Sequence, residues 1–166
     1  MGEVQFVAQG TKVQFTGVFS LKGLYKVIDD YFNRLGYDKK EDKSVEAAKK
    51  DGKFVIIALT YDKSLNDYVK AVHKVSITGE GITPVDIKKN DIRKRMNKGK
   101  VVVEMDTYLE SDYERRWEGK PFYYLMRIIW QKFVWAPMEL GFKSETSDVV
   151  THFVAEVKAY LNLGKY

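Results

Sequence analysis

Apolar and polar positions alternate loosely at the start of the chain. Lys12–Phe19 (Lys-Val-Gln-Phe-Thr-Gly-Val-Phe) predicts a strand, with Val4–Val7 as its partner across Gly10-Thr11. Ser20 then stands where a helix N-cap belongs. Behind it Leu21, Leu24, Val27, Ile28, Tyr31, Phe32 and Leu35 recur at helical spacing, and Gly36 marks the stop. Asp38–Lys43 is expected to be a charged loop.

A period of two returns after it. Ser44–Lys50 is the weakest strand, joined to Phe54–Asp62 by Asp51-Gly52, a dipeptide favoured in tight hairpins. Phe54–Tyr61 is almost uninterruptedly apolar, the mark of a central strand covered on both faces. Tyr68–Thr78 alternates cleanly, with Val69, Ala71, His73, Val75 and Ile77 on one side. Gly79–Gly81 is expected to turn the chain into Ile82–Ile87, which Pro84 demotes to an edge strand. Val101–Leu109 closes the series, with Val101, Val103, Met105, Thr107 and Leu109 on one face.

Beyond Leu109 the period becomes 3.6. One helix is predicted over about Lys120–Trp135, ended by Pro137. Another is predicted over about Ser147–Leu163, with Val149, Val150, Phe153, Val154, Val157, Tyr160 and Leu161 on its apolar face. The expected fold is therefore α+β: an antiparallel sheet of five or six strands, one early helix, and two C-terminal helices packed on one face. Short turns between consecutive strands argue against a parallel, Rossmann-type sheet. No repeat, linker or change of composition divides residues 1–166, so they read as a single domain, long enough to bury a core.

This order of elements resembles the helix-grip fold of the START and Bet v 1-like proteins. There a first strand and short helical segment precede a curved antiparallel sheet wrapped around a long C-terminal helix and an apolar cavity. The resemblance spans most of the chain but is one of element order, and no residue motif carries it. One early helix replaces the usual two short ones, and two C-terminal segments replace one. The resemblance implies a carrier of a hydrophobic small molecule.

Composition narrows the chemistry. The chain has no cysteine, which removes disulfides, thiolate metal sites and thiol nucleophiles together. The N-terminus lacks the basic and apolar regions of a signal peptide, and no apolar run reaches the roughly 20 residues that span a bilayer. A cytoplasmic location is expected, and abundant Lys and Glu with scarce Gln point to a thermostable protein. No P-loop, dinucleotide fingerprint, nucleophile elbow or HExxH occurs. His73 and His152, the only histidines, read as core or boundary residues. Asp106, Glu110, Asp112 and Glu114 are followed by Arg115, Arg116 and Lys120, and read as ion pairs at a strand-to-helix junction. These residues give no reason to expect a cofactor, a metal or an enzyme.

Two segments stand out as binding surfaces. Pro121–Trp135 is apolar or aromatic apart from the proline, Arg127, Gln131 and Lys132, and Trp117 lies just before it. Trp117, Tyr124, Trp130, Phe133 and Trp135 are the candidate partner- or ligand-binding residues, since Trp and Tyr are enriched at interfaces. The leading reading is a non-enzymatic assembly domain that uses this helix for self-association or a protein partner. The carrier reading is the alternative. The second segment is basic, with Lys88, Lys89, Arg93, Lys94 and Arg95 followed by Lys98 and Lys100 and diluted only by Asp91, in a chain whose net charge of +5 is also explained by ordinary lysine on a solvated surface. The first five are candidate phosphate contacts for nucleic acid. No aromatic residue interleaves them, as single-strand binders prefer, and an edge-protecting surface loop explains the same composition.

Overall fold

Strand pairing sets the frame on which everything else is hung. A computed structural model describes residues 3–111, 125, 128–129, 132–133 and 136–163. Its elements are β1 (Glu3–Phe19), α1 (Leu21–Arg34), β2 (Asp38–Lys49), β3 (Gly52–Ser64), β4 (Val69–Lys89), β5 (Ile92–Ser111) and α2 (Ala136–Leu163). The five strands form one antiparallel sheet in the order β1-β5-β4-β3-β2. The chain is α+β with an antiparallel sheet of five strands, within the expected five or six, but individual strands are longer than the pattern implied.

Two expected turns are bulges instead. Gly10-Thr11 does not separate two strands, because β5 is long enough to pair with the whole of β1; the register shifts between Phe6 and Thr11. Gly10 adopts φ +61°, and its N–H donates to Asp106 Oδ1 at 2.6 Å. Gly79–Gly81 likewise bends one continuous β4, with the shift between Glu80 and Thr83. Pro84 is tolerated because β3 stops pairing at Lys53↔Ile82, so no neighbour on that side needs its missing N–H. Asp38–Lys43 is strand rather than loop: Lys39 and Lys40 of β2 reach Asp29 (2.9 Å) and Asp62 (3.8 Å), and β3 supplies the ladder. β3 itself is second from the edge. Val55, Leu59 and Tyr61 are buried, while Phe54, Ile56 and Ala58 are only half-buried, so one face alone is fully covered.

α1 follows its sequence signals closely. Gly23 N–H donates to Ser20 Oγ (3.1 Å), and Leu21 N–H donates to Asn97 Oδ1 of β5 (3.1 Å), so two of the helix's open donors are satisfied. At the other end Tyr37 N–H reaches Phe32 O and Gly36 N–H reaches Asn33 O, both at 3.0 Å, with Gly36 at φ +77°. This is a Schellman cap. Its usual apolar contact is the edge-on packing of Tyr37 on Phe32, 5.6 Å between centroids.

The C-terminal region departs from expectation. Of the two helices predicted there, α2 begins at Ala136 rather than near Ser147, so Pro137 opens a helix instead of closing one, which the first turn allows. The segment Lys120–Trp135 lies mostly outside the described residues. α1 and α2 pack together on the inward face of the sheet. Tyr31 donates to Val149 O (2.8 Å), Tyr160 to Ser20 O (3.2 Å), and Phe153 meets Tyr31 and Phe32 at 5.8 and 5.5 Å. No helix among the described residues is long and apolar enough to cross a membrane.

His73 sits at the middle of the covered face, 0% exposed, between Phe32 and Tyr37. Its Nδ1 shares a 2.8 Å hydrogen bond with Thr107 Oγ1, and Nε2 has no partner among the described residues. Burial drops its pKa to about 4. The unfolded chain therefore takes up a proton near pH 6.5 that the folded chain refuses until about pH 4. Stability falls as pH falls through that window, by about 3 kcal/mol in all. We predict that His73→Leu flattens the stability profile between pH 6.5 and 5, measured by urea unfolding across a pH series; an unchanged slope would contradict this account of His73.

Candidate functional site

The basic segment is not a loop. β4 and β5 continue past the ends of their neighbours and close a hairpin at Asn90 and Asp91, whose φ angles of 50° and 60° suit the tight turn that matches strand twist. β3 leaves β4 at Ile82 and β1 leaves β5 at Asn97. Beyond these points β1 and β3 no longer flank the pair, so Pro84–Met96 is a two-stranded arm, roughly 20 Å long at about 3.3 Å per residue.

Its root is a close approach of backbones. A Cβ on Gly99 would lie 2.8 Å from Gly81 O, 2.9 Å from Glu80 O and 2.9 Å from Ile82 Cδ1. Only glycine lets the bulged β4 press against β5 there, and the bulge is what re-aims the arm.

Register partners share a face, so the arm has two different sides. Lys88↔Arg93 and Asp86↔Arg95 form one, polar throughout. Val85↔Met96, Ile87↔Lys94 and Lys89↔Ile92 form the other, apolar with lysines along it. Between Asp86 and Lys100 seven basic residues stand against two acidic ones, an excess of five. The whole chain has 28 against 23, so the remainder balances at 21 against 21. Most of the net charge of the protein sits on this arm, where Pro84–Met96 holds five basic and two acidic residues, and on its root.

The charges are also poorly neutralised. Lys88 reaches Asp91 at 3.3 Å and Lys100 reaches Glu80 at 3.9 Å, both exposed. Arg93, Lys94 and Arg95 reach no carboxylate among the described residues. Elsewhere Lys12 pairs with Glu104, Lys53 with Glu46, Lys39 with Asp29 and Lys70 with Asp62. No protein-family model matches the chain, and no curated protein or solved structure does.

The other candidates fare differently. Trp117, Tyr124, Trp130 and Trp135 lie outside the described residues. Phe133 is 69% exposed, and Leu125, Ile128 and Ile129 are exposed with it. The five phosphate-contact candidates are brought together on the arm. Of the acidic group, Asp106 is committed to the β1 bulge and Glu110 faces Lys70 across the ladder, while Asp112 and Glu114 lie outside the described residues. His73 is buried, whereas His152 lines an open groove of about 660 Å³ between α1 and α2 with Tyr31, Arg34, Asp148 and Glu156. Among the described residues no three His, Asp or Glu side chains converge as metal ligands.

Val85 and Ile87 fall in the expected edge strand Ile82–Ile87, but reading the basic stretch after it as a loop hid the hairpin that continues around Asn90. The signal was present: Val85, Ile87, Lys89 and then Ile92, Lys94, Met96 are two runs at a period of two around Asn-Asp. We predict that Gly99→Ala lowers stability by about 1–3 kcal/mol, because carbonyls rather than flexible side chains would have to move. Denaturant titration reads this directly; a neutral effect would remove the close approach as the reason for glycine.

Proposed function

We propose that the protein binds a nucleic-acid backbone through the β4–β5 arm. One observation carries the reading: most of the net charge is gathered on a projecting ribbon and its root, and among the described residues the ribbon's two arginines form no ion pair. Lys88 and Arg93 stand directly opposite one another, an arrangement that costs the free hairpin about 0.2–1 kcal/mol. A polyanion relieves that repulsion and releases its own counterions as it does so. A two-stranded ribbon also has the cross-section to follow a groove or run along a single strand. Edge protection explains β2, where Lys39 and Lys40 are paired with acids, but it does not require Arg93 to stand opposite Lys88.

The assembly reading draws on the exposed Leu125, Ile128, Ile129 and Phe133, a few members of the aromatic segment. The carrier reading draws on the element order, with a 28-residue C-terminal helix over the sheet. Against it, the inward face is occupied by packed rings, Phe32 stacked on Tyr61 at 4.2 Å with Phe153 beside them.

Binding that engages four to six phosphates gives a log-affinity against log-salt slope of about −3 to −5. We predict that Arg93→Glu/Arg95→Glu weakens binding of a labelled oligonucleotide by at least about ten-fold at 50 mM salt and flattens the slope by about 2. Fluorescence anisotropy at several salt concentrations measures both. Equal affinity of the two proteins would overturn the proposal.

A further inference from the structure

The arm's apolar side contains a cavity of about 270 Å³ lined, among the described residues, by Ile87, Lys89, Asn90, Ile92, Lys94 and Met96. The pocket is about half open to solvent, and its volume leaves room for the ring of a pyrimidine or a purine to rest against it. Met96 is 6% exposed and forms the inner wall, whereas Ile92 is 68% exposed and stands at the tip. Three apolar side chains offer contact to the faces of a ring. Asn90 carries a carboxamide, whose adjacent donor and acceptor match the edge of a base. Lys94 carries its ammonium on the same side, and Lys88, Arg93 and Arg95 occupy the other side of the ribbon.

We infer that this cavity receives an unpaired nucleobase, so that the ligand of the arm is single-stranded nucleic acid. The inference rests on the backbone-binding reading and specifies its substrate. A duplex keeps its bases stacked, and extracting one costs a few kcal/mol, whereas a single strand presents them at little cost. From Thr83 to Lys100 the arm has no aromatic residue, so a flat stacking platform is absent. The base instead lies against the aliphatic side chains of Ile87, Ile92 and Met96 on this one face. The phosphates on either side of it then lie against the cations of the ribbon. Ile92, an exposed apolar side chain at the end of the most charged element of the molecule, is the wall that the base covers.

The test titrates wild type, Ile92→Ser and Arg93→Glu/Arg95→Glu against single-stranded and duplex oligonucleotides of equal length, with 2-aminopurine in the single strand. Wild type is expected to prefer the single strand by roughly ten-fold and to change 2-aminopurine fluorescence on binding. Ile92→Ser, exposed and neutral, is expected to lose that preference and the fluorescence change while keeping duplex affinity and salt slope. Arg93→Glu/Arg95→Glu is expected to lose both ligands. Equal wild-type affinity for the two ligands, with no effect of Ile92→Ser, overturns the base site and leaves backbone binding standing. Binding of neither ligand overturns both. Retention on anionic phospholipid vesicles, lost in Ile92→Ser, with no preference for single strands, overturns the base site in favour of a lipid surface.

Discussion

Phe32 is where the two layers of the protein are joined. Its ring stacks on Tyr61 of β3 at 4.2 Å, lies 5.1 Å from His73 of β4, and meets Phe153 of α2 and Tyr37 beyond α1. A fully buried phenylalanine contributes roughly 1.5–3 kcal/mol by area alone. The geometry matters more than the area. Phe32 supplies the carbonyl that the Schellman cap needs, so ending the helix and packing its last ring on the sheet are one event. α1 is held at its other end by Asn97, a residue of β5 at the foot of the arm. The helix is therefore pinned at both ends to the sheet, and α2 has a fixed surface on which to lie.

That pinning separates the molecule into a core and an arm with different physics. Along the core, inward residues of β4 and β5 are apolar apart from the His73–Thr107 pair and Ser111, and the outward Lys70 has the carboxylate of Asp62 beside it. Along the arm, cations face cations and apolar side chains reach solvent. The arm does not share the core's close packing, so its repulsions are local and small. They are tolerated because the ladder below it is long, with β4 and β5 paired from Val69↔Ser111 to Lys89↔Ile92. The glycine contact at Gly99 and the Glu80–Thr83 bulge lie between the two regimes.

Much of the core was legible in the sequence. α1 could be read with its cap, its stripe and its stop, since each depends on residues a few places apart. The alternation of Tyr68–Thr78 correctly placed His73 inward. What could not be read was length. Gly10 and Gly79–Gly81 look like turns because glycine at positive φ serves turns and bulges alike, and only the presence of a long partner strand decides between them. Partnering is non-local, so the local pattern is silent on it. The same blindness concealed the arm. Pro84 appears to break a strand until β3 is known to have ended at Lys53↔Ile82. The candidate cations were visible as a cluster, but their division between two faces required the register.

Composition alone makes β2 and the arm look alike, since both are lysine-rich and both stand where a sheet needs guarding from further pairing. Their charges have different destinations. In β2, Lys39 and Lys40 are drawn to Asp29 and Asp62, and the strand adds little to the net charge. In the arm the cations accumulate an excess of three, with Lys98 and Lys100 at its root, and a hairpin turn of the tight kind holds them at the end of a ribbon. Guarding an edge needs only that charge be exposed, and mixed signs serve as well as one. Concentrating one sign on a narrow projection raises the local potential and draws counterions, at a cost to the free protein. On the proposed function, a ligand of opposite and repeated charge recovers that cost. The placement of the charge, more than its amount, is what distinguishes a binding element from a guarded edge.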